Sequence, residues 1–149
     1  MLYREVPKNG DKLSVLGYGC MRLPVRMGSI NQKVAEKQIM YAFDQGVNYF
    51  DTAFTYHNGK SEPFLGKVLS KNGCRDKVKI ATKLPHWSAR SKEDMDRILD
   101  KQLSKLKTDR IDYYLIHALN GELWETAKRN GVIEFLDDAL DNRQSQAVP

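Results

Sequence analysis

The sequence predicts an α/β fold in which about four strand–helix units form half of a parallel barrel, preceded by a β-hairpin. Short apolar segments alternate with amphipathic helical segments, which is the pattern of a parallel sheet. The residues that end the four apolar segments, Gly19, Asp51, Lys83 and His117, follow one another at intervals of 32, 32 and 34 positions. Because a complete eight-unit barrel takes about 250 residues, the 149 residues are expected to form a single, truncated barrel domain.

The N-terminal hairpin is predicted for residues 1–16. Asn9 and Gly10 lie between two short alternating runs, 2–6 and 12–16. An Asn-Gly pair favours a tight hairpin turn because both residues tolerate positive φ. Since the hairpin precedes the repeating pattern, in a barrel it would cover the N-terminal rim.

The four strand–helix units are predicted over residues 16–140. Their strands are four short apolar runs, at 16–20, 47–51, 78–82 and 111–116. The first three helices begin near polar residues of the kind that open a helix, Asn31, Ser61 and Ser91, and carry apolar side chains at helical spacing.

The C-terminal part of the sequence is predicted to be helical and then irregular. A last helical region covers 123–140, with a break at Asn130 and Gly131. Residues 141–149 are predicted to form a polar tail without regular structure.

Composition excludes several classes of function. The net charge of +5 comes from lysines and arginines scattered over helix faces, not from a basic patch interleaved with aromatic residues, so we expect no nucleic-acid partner. Cys20 and Cys74 have no metal-ligand spacing, so no metal is expected and both thiols are interpreted as reduced. The sequence has neither a secretory leader nor an apolar run of about 20 residues, which predicts a cytoplasmic protein without a membrane segment.

Three polar residues follow successive predicted strands and would share one rim. Taken singly, Asp51 is interpreted equally well as a turn cap, whereas a lone Lys83 is more often a solvated lysine and a lone His117 more often a structural histidine. Tyr56, five residues after Asp51, is by itself an ordinary loop tyrosine. In a parallel barrel, however, the C-terminal ends of all strands lie on the same side, where catalytic groups gather. The four residues therefore form a candidate catalytic constellation.

The chemistry of this set suits proton transfer to an oxygen. A tyrosine is ordinarily too weak an acid for efficient catalysis at neutral pH, and a nearby cation favours its phenolate form. Lys83 would provide that cation, with Asp51 holding it in place, and His117 would donate a hydrogen bond to a carbonyl oxygen. The set contains no strong nucleophile, so it fits a reaction in which another agent delivers a hydride to carbon.

The sequence resembles the aldo-keto reductases over residues 2–140. The matching stretches are LGYGCMRL at 16–23, GVNYFDTAFTY at 46–56, ATK at 81–83 and DRIDYYLIH at 109–117. The resemblance implies the N-terminal half of a (β/α)8 TIM barrel and an NADP(H)-dependent oxidoreductase that reduces aldehydes or ketones to alcohols. It implies that Tyr56 is the general acid/base, tuned by Lys83 and Asp51, and that His117 positions the carbonyl.

The resemblance also implies residues for the cofactor and the substrate. The nicotinamide of NADP(H) and its ribose would lie against Gly19, Cys20 and Met21, together with Asp51. His86 and Trp87 would border the pocket for a small carbonyl substrate, although loop packing explains Trp87 equally well.

The family's pattern continues beyond the four units present here. The residues that grip the rest of the dinucleotide would belong to the second half of the barrel, and the sequence has neither a GxGxxG nor a P-loop motif. The sequence is therefore interpreted as a fragment of a longer protein, as a half-barrel that associates with itself through open edges, or as a truncated product that folds poorly alone. The alternative function is a catalytically inactive half-barrel that serves as an assembly or interaction module.

Overall fold

A parallel five-stranded sheet forms the centre of the protein, and two short hairpins lie outside it. The computed structural model describes residues 1–141 together with the backbone of 145–147. The strands are β1 (Tyr3–Glu5), β2 (Lys12–Ser14), β3 (Tyr18–Gly19), β4 (Val25–Arg26), β5 (Ser29–Ile30), β6 (Tyr49–Asp51), β7 (Lys79–Leu84), β8 (Ile111–Ile116) and β9 (Ser145–Ala147). The helices are α1 (Gln32–Asp44), α2 (Ser61–Lys71), α3 (Lys92–Leu106), α4 (Gly121–Arg129) and α5 (Val132–Asp141).

The central sheet has the strand order β3-β6-β7-β8-β9, with every pair parallel. Neighbouring strands follow one another in the chain, with helices α1, α2 and α3 as successive crossovers, which is the connectivity of a parallel barrel. The pairing of Gly19 with Asp51, and of Asp51 with Ala81, brings the C-terminal ends of β3, β6 and β7 to one edge. The predicted partial TIM barrel is confirmed.

The helices begin where the sequence predicts and pack on one face of the sheet. Asn31 and Ser91 cap α1 and α3, since their side chains accept hydrogen bonds from the N–H groups of Val34 and Asp94. Their apolar faces join the strands in one core, formed by residues that include Ile39, Phe50, Leu65, Leu69, Ile80, Met95 and Leu99. None of the helices in the part of the chain that the structure describes has the length and apolar character needed to cross a bilayer.

The N-terminal hairpin, β1 paired antiparallel with β2, lies against the N-terminal ends of the central strands. Asp11, in its turn, accepts a hydrogen bond from the Tyr113 hydroxyl at 2.7 Å and forms an ion pair with Lys79 at 2.7 Å. The Ser14 N–H donates to the side chain of Asn48 at 2.8 Å. These contacts place the hairpin at the N-terminal end of the strands, opposite the candidate catalytic rim at their C-terminal end.

A second hairpin, β4 with β5, follows the first core strand and was not predicted. Its turn is formed by Met27 and Gly28, both at positive φ (51° and 75°), the backbone geometry that suits a two-residue hairpin. Two-residue strands are too short to show alternation, so the sequence carried no signal for this element. Met27, at its tip, is 95% exposed.

The expectation that residues 141–149 form a tail without regular structure is wrong in two places. Helix α5 extends through Asp141, and the backbone of Ser145–Ala147 forms β9, which pairs in parallel with β8. This strand is held by backbone hydrogen bonds, which a polar sequence forms as readily as an apolar one. The fourth core strand, β8, is therefore paired on both sides, and β9 ends the described sheet. Residues 142–144 and 148–149 lie outside the described residues.

Candidate active site

Asp51 and Lys83 form a close ion pair at the C-terminal edge of the sheet. Lys83 Nζ lies 2.9 and 2.8 Å from the two carboxylate oxygens of Asp51 and 2.7 Å from the backbone carbonyl of Thr52. The side chain of Lys83 is only 13% exposed. Because an ammonium group has three N–H donors, these contacts saturate it and fix its position.

Tyr56 lies directly beside this ammonium group. Lys83 Nζ is 5.0 Å from the centroid of the Tyr56 ring. The loop that carries Tyr56 turns back sharply because His57, Asn58 and Gly59 all have positive φ, between 52° and 77°. The Ser61 N–H then donates to the Tyr56 carbonyl at 3.2 Å, which joins the loop to the start of α2.

His117 completes the set from the end of β8. Its ring meets the ring of Tyr56 edge-on, with centroids 6.0 Å apart. Burial lowers the pKa of His117 from its ordinary value, and the positive charge of Lys83 lowers it further against the opposing effect of Asp51. Its Nδ1 atom is buried without a hydrogen-bond partner among the described residues. The imidazole is therefore neutral at pH 7.

His86 and Trp87 lie next to His117 on the loop after β7. The Trp87 ring is 5.2 Å from the rings of both His86 and His117. His86 is buried, whereas Trp87 is 52% exposed. The two side chains thus form an aromatic wall beside the polar rim, and this geometry leaves their role as a prediction.

Comparison with known proteins settles the family. The sequence model of the aldo/keto reductase family matches residues 15–141. The chain belongs to the aldo-keto reductase family. It is 33% identical over 129 residues to the aldo-keto reductase YhdN of Bacillus subtilis, an alignment that covers 78% of this chain and 38% of that protein.

Solved structures of aldo-keto reductases have the same fold. A protein from Pseudomonas aeruginosa assigned to the aldo-keto reductases superposes with a TM-score of 0.81 and 26% identity, covering 97% of this chain and 56% of that one. An aldo-keto reductase from Klebsiella pneumoniae in complex with NADPH superposes with a TM-score of 0.75 and 23% identity, covering 97% and 48% of the two chains. This chain thus spans about half the length of these relatives, and less of YhdN.

The predicted cofactor residues of this aldo-keto reductase chain differ in what they present. Gly19 is exposed, and a Cβ atom added there would meet nothing within 4 Å. Cys20 is fully buried, which raises the pKa of its thiol to about 12. Met21 is 59% exposed. A ligand at this strand end would therefore touch backbone and the Met21 side chain, and not the thiol of Cys20.

Sequence reasoning missed residues that tie the rim of this aldo-keto reductase chain together. His57 Nε2 accepts a hydrogen bond from the Leu23 N–H at 3.1 Å, joining the loop after β3 to the loop of Tyr56. Ser61 Oγ donates to the Cys20 carbonyl at 3.2 Å. The only signal for His57 was its position next to Tyr56. Among the residues that the structure describes, no group of three or more His, Cys, Asp or Glu could hold a metal ion.

Proposed function

We propose that this chain provides the proton-transfer machinery of an NADP(H)-dependent oxidoreductase that reduces aldehydes or ketones to alcohols. The observation that carries the proposal is the saturated ammonium group of Lys83, 5.0 Å from the Tyr56 ring centroid and held there by Asp51 and Thr52. Membership of the family supports the reaction class, and the NADPH complex of the Klebsiella pneumoniae relative supports the cofactor.

Tyr56 acts as general acid in the reducing direction. Its hydroxyl gives a proton to the carbonyl oxygen while the carbonyl carbon accepts a hydride, so the products are an alcohol and a phenolate. NADPH, when bound, supplies the hydride. Lys83 stabilises the phenolate through its positive charge in a site partly withdrawn from water, and Asp51 keeps that charge in place. In the oxidising direction the same phenolate takes the proton back.

His117 positions the carbonyl of the substrate. A neutral imidazole has one N–H donor and one acceptor, and a donor aimed at the carbonyl oxygen favours the negative charge that develops there. The lowered pKa of His117 keeps the ring neutral and so avoids a second cation close to Lys83. His86 and Trp87 would border the substrate on the same side.

The end of β3 fits the nicotinamide part of NADP(H). Gly19 leaves open space where another residue would place its Cβ atom, so a flat ring can approach the backbone closely. The neighbouring Met21 side chain offers apolar contact, Cys20 contributes backbone, and Asp51 lies beside Gly19 in the sheet register. These residues would hold one end of the dinucleotide.

The first test is a fluorescence titration of the purified chain with NADPH, followed by turnover of a generic aldehyde. Tyr56→Phe should lower turnover by about 100-fold or more, the contribution typical of a general acid, without changing NADPH affinity. Tyr41→Phe, at a tyrosine that is 68% exposed on α1, is the matched control and should leave turnover unchanged. Equal turnover of the two variants would refute the role of Tyr56.

The second candidate function is a catalytically inactive half-barrel that serves as an assembly or interaction module. This candidate concerns the 149 residues by themselves, which span 38% of YhdN and 56% of the Pseudomonas aeruginosa relative. The same titration separates the two: no saturable binding at millimolar NADPH would favour the inactive module, because the rim would then have no source of hydride.

A further inference from the structure

A fully buried polar cluster lies on the helix side of β7, behind the candidate active site. It consists of Glu62 of α2, Thr82 of β7, Gln102 of α3 and Tyr114 of β8. Glu62 Oε1 accepts hydrogen bonds from the Thr82 hydroxyl at 2.8 Å and from Gln102 Nε2 at 2.6 Å. The Tyr114 hydroxyl donates to Gln102 Oε1 at 2.6 Å. The cluster therefore joins two helices to two neighbouring strands.

The cluster reaches the backbone of Lys83. Gln102 Nε2 lies 3.1 Å from the Lys83 carbonyl oxygen. Two residues earlier, the carbonyl of Ala81 accepts a hydrogen bond from the Thr52 N–H, next to the last residue of β6. Because successive carbonyls of a strand point to opposite sides, the Lys83 carbonyl points the same way as that of Ala81. The Lys83 carbonyl lies beyond the end of β6, so it accepts its hydrogen bond from the side-chain amide of Gln102 and not from the backbone of β6.

The cluster also borders the loop that carries Tyr56. Ser61, next to Glu62, shares a hydrogen bond with the Thr52 hydroxyl at 2.9 Å and donates its N–H to the Tyr56 carbonyl. Lys105 Nζ lies 3.5 Å from Glu62 Oε2 and 3.9 Å from the centroid of the Phe54 ring, which belongs to the same loop. The start of α2 thus contacts both β7, which carries Lys83, and the loop that carries Tyr56.

Burying these groups is costly, which argues that they do more than fill the core. A carboxylate withdrawn from water is destabilising unless its partners compensate for the lost hydration, and an apolar set of similar volume is often at least as stable. A buried hydrogen-bond network, in contrast, specifies one arrangement of the elements around it. In this network Glu62 Oε2 has no hydrogen-bond partner among the described residues, and Lys105 Nζ, 3.5 Å away, provides its compensating charge. Here that arrangement fixes the end of β7, where Lys83 projects toward Tyr56 from the opposite face.

We propose that the cluster of Glu62, Thr82, Gln102 and Tyr114 positions the Lys83 ammonium group against Tyr56. The inference rests on the proposed function for its catalytic consequence, but its structural content is independent of activity. The cluster residues are positioning residues, since they act through the backbone of β7 and touch neither substrate nor cofactor. Loss of a hydrogen bond within the cluster should slow the proton-transfer step without weakening NADPH binding.

Thr82→Val tests this with matched controls. Valine keeps the branched shape and removes the hydroxyl that donates to Glu62, whereas Thr82→Ser keeps the hydroxyl. Ile80→Val removes a methylene from the same face of β7, two residues away. We expect Thr82→Val to lower kcat by about tenfold, within the effect of a small misplacement of a catalytic group, with KM for NADPH within twofold of the parent. Thr82→Ser and Ile80→Val should stay within about twofold. A loss in Ile80→Val or Thr82→Ser equal to that in Thr82→Val would overturn the proposal.

A second readout does not depend on turnover. The NMR titration of the His117 imidazole senses the charge of Lys83, along with Asp51 and His86. In Thr82→Val its midpoint should move upward relative to the parent and both controls, because Lys83 is held less firmly beside it. An unchanged midpoint would overturn the proposal even if no variant turns over. If the parent does not turn over but the midpoint in Thr82→Val is shifted relative to the parent, only the proposed function is contradicted. If Thr82→Val does not fold, Tyr114→Phe, which removes the bond to Gln102, takes its place with the same outcomes.

Discussion

The charge state of His117 is the residue-scale property that can be measured most directly. Its pKa is lowered by burial first and by Lys83 second, so its NMR titration should have a midpoint below the ordinary value of about 6.5. Lys83→Met should raise that midpoint, because it removes a neighbouring cation and leaves Asp51 unpaired. A midpoint at or above about 6.5 in the parent would contradict the described environment.

The sign of the accompanying stability change follows from linkage. A lowered pKa means that the folded chain binds the proton of His117 less readily than the unfolded chain does. The contribution of His117 to the free energy of unfolding is therefore complete above about pH 6.5 and is lost as the pH falls through the folded-state pKa. Urea denaturation should show that the free energy of unfolding decreases less between pH 7.5 and pH 5.5 for His117→Asn than for the parent.

The proximity of the candidate residues could be predicted from sequence because Asp51, Lys83 and His117 lie at the C-terminal ends of parallel strands, which end together, and Tyr56 lies in the loop after Asp51. The structure brings Asp51, Tyr56, Lys83 and His117 together, while their catalytic roles remain a prediction. Gln102 and Glu62 could not be found in the same way, since each lies in a helix where the sequence does not distinguish a buried polar side chain from a solvated one. Their hydrogen-bond partners lie 12 to 40 residues away in the chain.

At the scale of elements, the packing of α2 on α3 depends on Gly66. A Cβ atom added at this position would lie 2.5 Å from the backbone carbon and oxygen of Leu106. Alanine normally stabilises a helix interior by about 1 kcal/mol relative to glycine, but relief of this clash requires the two helices to separate. Because overpacking costs about 1–3 kcal/mol, Gly66→Ala should be net destabilising.

Urea denaturation measures this effect. Ser70→Ala, at an exposed position of the same helix, is the control and should leave the free energy of unfolding unchanged or slightly increased. If Gly66→Ala were as stable as Ser70→Ala, the close approach of α2 to α3 would be incorrect. The hydrophobic pattern of α2 predicted the helix but not this contact, because a glycine in a helix carries no sign of what faces it.

The elements themselves were predictable where their side chains alternate or repeat. Capping residues and apolar periodicity indicated α1 and α3, and the Asn9-Gly10 pair indicated the first hairpin. The first core strand is shorter than expected, Tyr18–Gly19 in place of 16–20. Elements held mainly by backbone hydrogen bonds, β9 and the hairpin of β4 and β5, left no pattern in the sequence.

At the scale of the whole molecule, the inner face of the sheet carries charged and aromatic side chains among its apolar ones. Asp51 and Lys83 project from it near the catalytic rim, and Tyr49 and Tyr113 lie below them with ring centroids 5.6 Å apart. Lys79 forms its ion pair with Asp11 at the opposite end. A face lined in this way favours water more than a bare apolar sheet would, so association is expected at the flank of the sheet.

That flank is formed by β3 and α1. The edge strand β3 pairs on one side only within the described residues, and unpaired strand edges favour association. Next to it lies an open groove of about 370 Å³, lined by the rings of Tyr18 and Tyr41, by Val34 and Ala42, and by the polar residues Lys37 and Gln38. A second copy of this chain, docked here, would cover both the groove and the strand edge.

We therefore expect the purified chain to self-associate through this flank. Light scattering coupled to size-exclusion chromatography should give a mass above the 17.1 kDa of one chain. Tyr41→Lys removes an aromatic ring from the groove and adds a second positive charge to that of Lys37, so it should shift the mass toward that of the monomer. Leu2→Lys, at an exposed apolar residue of the N-terminal hairpin, should not. A monodisperse monomer for the parent would refute self-association, and an equal effect of the two lysine variants would place the contact elsewhere.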